Sequence, residues 1–422
     1  MAQKNATFAA IDVGTTKVCA IVGRGSGPDD LQVLAHSTVP CDGLRKGNVA
    51  DSKATTQAIR RVVTDVSREA GVTIDAAYVG VTGAHVSFEN RWDALDWVGD
   101  LGVITSDDLK RVPEKISAAA TVAGRRVMHA IPLTYALDGE KSIRNPLGMH
   151  ARNLEVETHV VSGNQSYVRR LVEAVESAGI EVKDLVFEPL ASSEAVLTAA
   201  EKQEGVALVD IGGGTTDIVV FQGGMVRYTG VVPVGGYQFT NDICQTYGAS
   251  YKDAEQAKLA HATTDLYESK LDEEISLSVE GRSTAIKIPH RDLCQLTRER
   301  AQELLKLIKV KLQEADVEDI CKLRLVITGG TSNLPGLEAL TQQLLTNRVR
   351  IGMPNGNGSI PAELKAPAYS TGVGLLLWAA SRSEPEAMAQ TNGRNGHSEP
   401  RSGGFASRFI AQLKSRLSLN LF

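Results

Sequence analysis

The 422-residue sequence lacks several features that mark common classes of protein. Its five cysteines are scattered and none forms a C-x-x-C pair, which argues against a zinc site or a disulfide scaffold. No apolar run approaches the ~20 residues of a membrane span, and the first residues have no apolar stretch typical of a secretion signal. Positive charge is not in excess, because 45 Lys and Arg stand against 50 Asp and Glu. Nucleic acid is therefore not an expected partner.

Two common nucleotide-binding signatures are also absent: there is no G-x-x-x-x-G-K-[ST] and no G-x-G-x-x-G after a strand. What the sequence has instead is an internal repeat. Residues 9–23 read AAIDVGTTKVCAIVG, and residues 207–224 read ALVDIGGGTTDIVVFQGG. Each copy predicts a hairpin made of a strand, a glycine-bearing turn and a second strand. When the two Thr-Thr pairs are aligned, 200 positions apart, the second turn has two extra glycines.

The residue types in these turns suit a polyphosphate held together with Mg²⁺. Glycine lets backbone amides approach an anion closely, and threonine hydroxyls add further donors. Carboxylates would repel phosphate, but they can hold a Mg²⁺ through its bound waters. The predicted phosphate contacts are Gly14, Thr15, Thr16 and Lys17 from the first turn and Gly212, Gly213, Gly214, Thr215 and Thr216 from the second. The predicted metal carboxylates are Asp12, Asp210 and Asp217.

A third glycine element follows near the end of the apolar part of the chain. Residues 323–337 read LRLVITGGTSNLPGL, which predicts a buried strand, a glycine turn, and a helix that begins at residues 333–335. Gly329 and Gly330 would let the backbone lie against a flat base. Beside the two phosphate turns, this element favours an adenine site over a plain strand–turn–helix corner.

These three elements together resemble the motifs of the actin, Hsp70 and sugar-kinase superfamily. Within it, residues 128–163 (MHAIPLTYALDGEKSIRNPLGMHARNLEVETHVVSG) resemble the inserted subdomain of the FtsA family of bacterial cell-division proteins. The stretches FEPLASSEAVL (187–197) and VVPVGGYQFTNDI (231–243) also match that family's pattern. The resemblance implies an α/β, actin-like duplicated fold. It has two lobes, 1A and 2A, an FtsA-type insert 1C, a subdomain 2B and a C-terminal amphipathic helix.

The resemblance also implies boundaries for these parts. Subdomain 1A would comprise residues 1–85 and 163–204, and insert 1C residues 86–162. Subdomain 2A would comprise residues 205–236 and 318–381, with 2B at residues 237–317. Residues 382–402 are polar and rich in Gly, Pro, Asn and Ser, which predicts a disordered linker before a helix at residues 403–422.

Further nucleotide contacts follow from the same resemblance. Gly329, Gly330, Thr331 and Ser332 would flank the adenine and ribose, and Gly235 and Gly236 would open a helix whose N-terminus faces ribose or phosphate. Glu255 and Lys258 resemble the family's E-x-x-K contact to ribose, although such pairs are common on helices by chance. The expected cofactors are ATP and Mg²⁺.

Hydrolysis would need a group that orients water against the γ-phosphate. Glu188, in FEPLA, occupies the corresponding place in the superfamily, and its carboxylate could accept the water's proton. Asp12 and Asp210 complete the predicted catalytic set. The alternative is that Glu188 only caps the helix starting at Pro189, with ATP serving mainly as a structural bridge. The expected ATPase activity is slow at most.

The last twenty residues, GGFASRFIAQLKSRLSLNLF, contain an apolar helical face and no acid. This pattern favours a helix lying in the plane of an anionic membrane surface over one docked on the protein's own core. The apolar residues of this face are Phe405, Phe409, Ile410, Leu413, Leu417 and Leu421, and the flanking cations are Arg408 and Lys414. One such tail would bind weakly, but many on one filament would bind strongly.

By resemblance, the chain would polymerise on the cytoplasmic side of the cell membrane at the division site. It would tether FtsZ filaments there through the FtsZ C-terminal tail and recruit later division membrane proteins. Arg300, on a long helix of 2B, matches a family position for the FtsZ contact. The nearest alternative is a PilM-like pilus-assembly adaptor, which usually lacks the amphipathic helix. A soluble sugar or acetate-type kinase and an Hsp70-like chaperone fit the tail less well.

Overall fold

The computed structural model describes residues 6–95, 102–267, 272–281, 284–315, 320–355 and 360–382. The predicted linker and amphipathic helix, from residue 383 onward, lie outside the described residues. The strands of the first half are β1 (Ala6–Val13), β2 (Lys17–Gly25), β3 (Gln32–Pro40), β4 (Leu44–Arg45), β5 (Asn48–Val49), β6 (Ala76–Val81), β7 (Val86–Leu95), β8 (Arg125–Leu137), β9 (Glu140–Ile143), β10 (Leu154–Asn164) and β11 (Glu181–Phe187). The strands of the second half are β12 (Val206–Ile211), β13 (Thr216–Gln222), β14 (Met225–Val232), β15 (Glu274–Leu277), β16 (Ile286–Pro289), β17 (Arg324–Thr328) and β18 (Val349–Ile351).

The α-helices lie between these strands. They are α1 (Ser52–Ala70), α2 (Ser106–Ala119), α3 (Gln165–Glu176), α4 (Glu188–Val196), α5 (Ala199–Glu204), α6 (Gly236–Tyr247), α7 (Tyr251–His261), α8 (His290–Glu314), α9 (Leu337–Leu344) and α10 (Ser370–Ser381). The predicted start of α9 was early, because residues 330–333 form a 3-10 turn and the helix begins after Gly336.

The two halves contain five-stranded sheets with the same topology. The first sheet has the order β3-β2-β1-β6-β11, and the second has the order β14-β13-β12-β17-β18. In each sheet the first three strands are antiparallel neighbours and the last two run parallel to the central strand. The repeat seen in the sequence is therefore a repeat of a whole sheet, and the predicted duplicated, actin-like fold is confirmed.

Helix α1 shows how local sequence fixes an element. Asp51 accepts a hydrogen bond from the Ala54 amide and so caps the start of the helix. Gly71 ends the helix in the left-handed conformation that favours glycine. Between these caps, Ile59, Val62 and their apolar neighbours bury one face against the first sheet.

An antiparallel sheet with the order β7-β10-β8-β9 is inserted between β6 and α3. Helix α2 packs on one face of it and closes a separate apolar cluster. The other face meets β14 of the second half, where Phe88 packs against Tyr228 with ring centroids 4.8 Å apart. Buried His159 bonds Asn90 within the insert and the Thr229 hydroxyl, on β14, at 3.0 Å. The insert thus lies within the first half in the sequence but packs against the second half.

The second half carries its own insertion between β14 and β17. It comprises α6, α7, the β15–β16 hairpin and α8, packed around a small apolar cluster. In the corresponding stretch of the first half, between β3 and β6, the chain forms only the short β4–β5 hairpin and α1. Among the described residues, no helix has the length and apolarity needed to cross a membrane.

Two helices cross between the halves. Helix α4 contacts strands of the second sheet, whereas α10 packs on β1 and β2 of the first. The two helices touch backbone to backbone, since a Cβ on Gly374 would overlap the carbonyl of Ala191. This crossing places the start of α4 and the start of α10 beside the turns of both sheets.

Candidate functional site

The two glycine turns have the same length and register. Val13 pairs with Val18 in the first hairpin, and Ile211 pairs with Thr216 in the second. Each turn therefore spans four residues, 14–17 in one and 212–215 in the other. In both turns the amide of the first residue donates to the carbonyl of the fourth at 2.9 Å.

The predicted alignment of the repeat on its Thr-Thr pairs is therefore wrong. By register, Thr15 and Thr16 correspond to Gly213 and Gly214, and Lys17 corresponds to Thr215. The second turn has no extra glycines. Strand pairing determines the length of a turn, whereas a shared dipeptide can arise from similar chemistry at positions that are not equivalent.

The two turns face each other, and their side chains are complementary. A Cβ on Gly213 would lie 2.7 Å from Thr16 Cγ2, and one on Gly214 would overlap Thr15 Oγ1. The glycines of the second turn thus leave the space that the threonines of the first turn fill. The contact is reciprocal: the second residue of each turn faces the third residue of the other, as it would across a two-fold axis.

A cavity of about 90 Å³ lies beside these turns. It brings together most of the predicted phosphate and metal residues from both halves. Its lining residues from the first half are Asp12, Val13, Gly14, Thr15, Thr16, Lys17, Gly47, Thr82 and Glu188. Those from the second half are Asp210, Gly212, Gly213, Gly214, Thr215, Asp217, Gly330, Ala368 and Thr371. Thr216 points away from the cavity and donates to the carbonyl of Val234.

Four carboxyl groups are buried around this cavity. Asp12, Glu188, Asp210 and Asp217 are only 2–9% exposed. Burial raises the pKa of Asp12 to about 6 and that of Asp217 to about 7, and neighbouring carboxylates add to both shifts. Burial also raises the pKa of Asp210 and holds the pKa of Glu188 well above its usual range. The cavity is therefore a place where added positive charge is favoured.

Hydroxyl groups hold two of these carboxylates in place. Thr82 donates to Asp217 across the cleft, and Thr215 donates to the other Asp217 oxygen at 2.9 Å. Ser192 and Thr371 both donate to Asp210 Oδ2, at 2.5 and 3.1 Å. These bonds favour the charged form and so oppose part of the effect of burial on the pKa.

Glu188 is the first residue of α4 and directly follows β11, as the sequence indicates. Its Oε1 is buried and has no hydrogen-bond partner in the part of the chain that the structure describes. Within that part, no side-chain hydrogen bond caps the start of α4, so none supports the alternative in which Glu188 serves only as a helix cap. The unpaired oxygen instead lines the cavity with the other three acids.

Lys17 is the one cation that lines the cavity within the described ranges. Its Nζ donates to the carbonyl of Ala368 at 2.7 Å and lies 4.3 Å from the centre of the Tyr369 ring. The segment just before α10 thus holds the Lys17 side chain in place. The position equivalent to Lys17 in the second half is Thr215, which carries no charge.

Gly235 and Gly236 open α6, as predicted. The amides of Gly236 and Tyr237 donate to the carbonyls of Gly212 and Gly213, at 2.9 and 2.6 Å. The start of α6 therefore supports the second turn from behind. Its close approach requires glycine, because a Cβ on Gly235 would lie 2.5 Å from the Gly212 carbonyl oxygen.

Glu255 and Lys258 form an ion pair at 2.7 Å on α7. Lys258 also donates to the hydroxyl of Thr240 at 2.9 Å, and that hydroxyl donates to Glu255. A Cβ on Gly236 would lie 3.7 Å from Lys258 Nζ, so this pair sits next to the second turn but does not line the cavity.

The third glycine element packs directly against the second turn. Gly329 has a φ of +84°, and a Cβ there would overlap Asp210 and the Ile211 carbonyl. Gly330 lines the cavity, and Thr331 donates to the carbonyl of Gly212 at 2.9 Å. Ser332 is buried and donates to the carbonyl of Gly329 within the same turn. Gly329 is thus required by packing inside the protein.

Several site residues were missed by the sequence reasoning. They are Gly47, Thr82, Ser192, Ala368 and Thr371. Thr82 carried a usable signal, since it follows β6, which runs parallel to β1 and ends at the same sheet edge. The other four are brought to the cleft by tertiary packing, and their local sequence shows no comparable pattern.

Arg300 lies on α8, outside this cleft. Its guanidinium donates to both carboxylate oxygens of Asp242 on α6, at 2.5 and 2.8 Å. It also pairs with Glu303 one turn further along α8. Its role as a partner contact remains a prediction, and this geometry shows that it also ties α8 to α6.

Comparison with known proteins places this architecture in a family. The model of "Cell division protein FtsA" matches residues 207–374, and that of the "SHS2 domain inserted in FTSA" matches residues 83–162. A cell division protein FtsA of Pseudomonas aeruginosa is 33% identical over 400 residues, covering 94% of this chain and 95% of the relative. The FtsA of Bacillus subtilis is 32% identical over 379 residues, covering 89% and 84%.

Solved structures agree on the fold at low sequence identity. A PilM–PilN type IV pilus biogenesis complex has a TM-score of 0.60 and 17% identity, covering 88% of this chain and 98% of that one. An ADP-bound MreB5 of Spiroplasma citri has a TM-score of 0.50 and 14% identity, covering 84% and 92%. The likeness to PilM therefore concerns the fold alone. The sequence identity over nearly the whole length shows that this chain belongs to the FtsA family of actin-like cell division proteins.

Proposed function

We propose that this FtsA-family chain binds ATP in the cavity between its two halves and, in that state, links division filaments to the membrane. The observation that carries the proposal is the pair of equivalent glycine turns that face each other beside one cavity. Their amides and hydroxyls are suited to phosphate oxygens on two sides. The ADP bound to the MreB5 of Spiroplasma citri, which has the same fold, supports a nucleotide as the ligand.

The buried acids fit a Mg²⁺ bound with the nucleotide. No cluster of three or more His, Cys, Asp or Glu in the described ranges is arranged to hold a metal directly. Burial nevertheless raises the pKa of Asp12 and Asp217, and the nearby Asp210 raises both further. Glu188 has an oxygen without a hydrogen-bond partner among the described residues in the same cavity. We propose that the three aspartates hold the ion through its waters, where it would neutralise phosphate charge.

We propose that hydrolysis is slow at most. A general base must be able to accept a proton, and burial, together with the neighbouring aspartates, holds the pKa of Glu188 well above its usual range, which favours its protonated form. Positive charge brought into the cavity would lower that pKa and favour the carboxylate that accepts a proton. The arrangement therefore favours ATP as a ligand that holds the two halves together, with Glu188, Asp12 and Asp210 as the candidate catalytic groups.

The partners follow from the family and from the tail. We propose that the chain forms filaments with itself, binds the FtsZ C-terminal tail near α8, and recruits later division membrane proteins. The tail, with Phe409 and Leu413 at the middle of its apolar face, would attach these filaments to anionic lipid on the cytoplasmic side of the division site. Because each tail binds weakly, ATP-dependent polymerisation would control membrane attachment.

Co-sedimentation with anionic vesicles tests the membrane half of this proposal. The full chain with ATP and Mg²⁺ should pellet with the vesicles, whereas a chain ending at Ser402 should not. Leu413→Glu should abolish pelleting, because it puts a charge in the apolar face. Ser415→Glu adds the same charge to the polar face and should largely retain pelleting. Equal pelleting of all four proteins would contradict a membrane role for the tail.

Calorimetric titration tests the ATP half separately. The full chain in Mg²⁺ should bind ATP with a dissociation constant in the micromolar range or tighter, and omission of Mg²⁺ should weaken binding. Absence of measurable ATP binding at millimolar concentration would overturn the proposed ligand and leave the membrane result to stand alone.

A further inference from the structure

The β4–β5 hairpin lies at the mouth of the cavity, although nothing in the repeated motifs points to it. Its turn consists of Lys46 and Gly47, with φ angles of +50° and +76°. Two consecutive positive values are typical of the tight turns that join two strands. Gly47 at the tip lines the cavity, so the hairpin forms part of the cavity wall.

This hairpin contacts both halves of the protein. The Gly47 amide donates to the Thr15 hydroxyl, in the first glycine turn, at 3.2 Å. The guanidinium of Arg45 lies 5.5 Å from the centre of the Tyr237 ring, in the first turn of α6. A Cβ on Gly47 would be 3.0 Å from the Cα of Gly83, so the tip is also close to the segment that follows β6. The hairpin therefore spans the cleft from one half to the other.

The hairpin also adds positive charge near a cavity whose charged lining groups are mainly acidic. Four buried carboxyl groups line the cavity, and Lys17, which also lines it, is already engaged by the Ala368 carbonyl. Arg45 and Lys46 directly precede Gly47 in the hairpin and carry two more positive charges, and both residues are exposed. Within the described ranges, neither takes part in any ion pair, although Arg45 stacks on Tyr237. Two cations without acidic partners beside an anion-binding turn are suited to a ligand with several negative charges.

We propose that the β4–β5 hairpin is a third phosphate-binding element, in which Arg45 and Lys46 contact the outer phosphates of a nucleoside polyphosphate. The Gly47 amide, bonded to the Thr15 hydroxyl, holds the hairpin against the first glycine turn. This inference rests on the proposed nucleotide function and adds the element that selects ligands by their charge. The hairpin and α1 occupy the stretch of the first half where the second half carries its whole 236–314 insertion. A short cationic loop there closes the cleft over the phosphates, while the larger insertion lies beside the predicted ribose site.

Calorimetric titrations of ATP, ADP and adenosine test the proposal. The Arg45→Gln, Lys46→Gln double variant should bind ATP about tenfold more weakly than the unaltered chain. Its affinity for ADP should fall by less, and its affinity for adenosine should not change. The difference for ATP should shrink as salt is raised, because exposed charges are screened. The matched control is Lys53→Gln, Arg61→Gln, which removes two exposed cations from α1 and should leave all three affinities unchanged.

The possible outcomes separate the two ideas. If the unaltered chain binds no ATP, the nucleotide function itself fails. If it binds ATP and the hairpin variant binds ATP equally well, the function stands and the hairpin is no phosphate element. An equal loss for adenosine and ATP would also overturn the proposal, because the hairpin would then only maintain the shape of the site. Thermal unfolding of each variant shows whether an observed loss comes from misfolding.

Discussion

The two glycine turns are equal as backbones and different as side chains. Each spans four residues and closes with the same 2.9 Å hydrogen bond. The first turn, however, reads Gly-Thr-Thr-Lys, whereas the second reads Gly-Gly-Gly-Thr. At the two middle positions the first turn has threonine side chains, whereas the second has glycines that leave space for them. At the fourth position the first turn has a cation, Lys17, and the second has the uncharged Thr215. The two turns thus share a backbone and contribute different side chains to one site.

The two hairpins also differ at the second pair of residues beyond each turn. Asp12 pairs with Cys19 in the first hairpin, whereas Asp210 pairs with Asp217 in the second. Burial raises the pKa of Cys19 to about 11, so this residue stays an uncharged thiol. The second hairpin thus carries two carboxyl groups where the first carries one. Substitutions at equivalent positions of the two turns should therefore have unequal effects.

The largest effect should come from filling the space left by the second turn. Gly214→Ala should lower the free energy of unfolding by about 3 kcal/mol, because its Cβ would overlap Thr15. Chemical denaturation measures this change. Adding Thr15→Gly to Gly214→Ala should restore part of the loss, since it removes the overlapping atoms. A double variant no more stable than the single one would show that the two turns are not complementary in this way.

The next effect concerns the extra acid of the second hairpin. The raised pKa of Asp217, about 7, means that the folded protein binds a proton that the unfolded chain has lost above about pH 4. The nucleotide-free protein should therefore lose about 2 kcal/mol of stability between pH 5 and pH 8. Denaturation across this range should show a smaller slope for Asp217→Asn. Cys19→Ser, at the equivalent position, should leave the slope unchanged.

A smaller effect is expected from removing the cation of the first turn. Lys17→Ala should lower ATP affinity about tenfold and stability by about 1 kcal/mol, because it removes a charge beside the phosphates and the bond to Ala368. Titration calorimetry and denaturation measure the two quantities. Lys17→Arg keeps the charge and should retain most of the affinity. If Lys17→Ala binds ATP normally, the first turn is not the cationic side of the site.

The smallest effect should be at the aromatic ring that contacts Lys17. Tyr369→Leu removes a cation–π contact at 4.3 Å and should cost about 0.5 kcal/mol of stability. This change should vanish in the background of Lys17→Ala, where the cation is already absent. A double-mutant cycle in denaturant measures the coupling, and additive losses would mean that the ring and the cation act independently.

The sequence alone predicted the duplicated fold, the insert and most of the cavity wall. These predictions depended on patterns within short segments, such as the two glycine turns and the placement of Glu188 at the start of a helix. The alignment of the two turns failed because equivalence depends on strand register, which a shared Thr-Thr pair does not reveal. Ser192 and Thr371 could not be found, since helix crossing alone brings them to Asp210.

The inserted sheet has a mechanical consequence for the whole molecule. Its chain connections are to the first half, but the packing of Phe88 on Tyr228 and the bond from His159 to Thr229 fasten it to the second. It therefore connects the two halves at a second place, apart from the crossing of α4 and α10. A rotation of one half relative to the other would have to tilt the inserted sheet or break its contacts with β14. Binding of a neighbouring molecule to the insert would therefore depend on the state of the cleft, even without direct contact between the two.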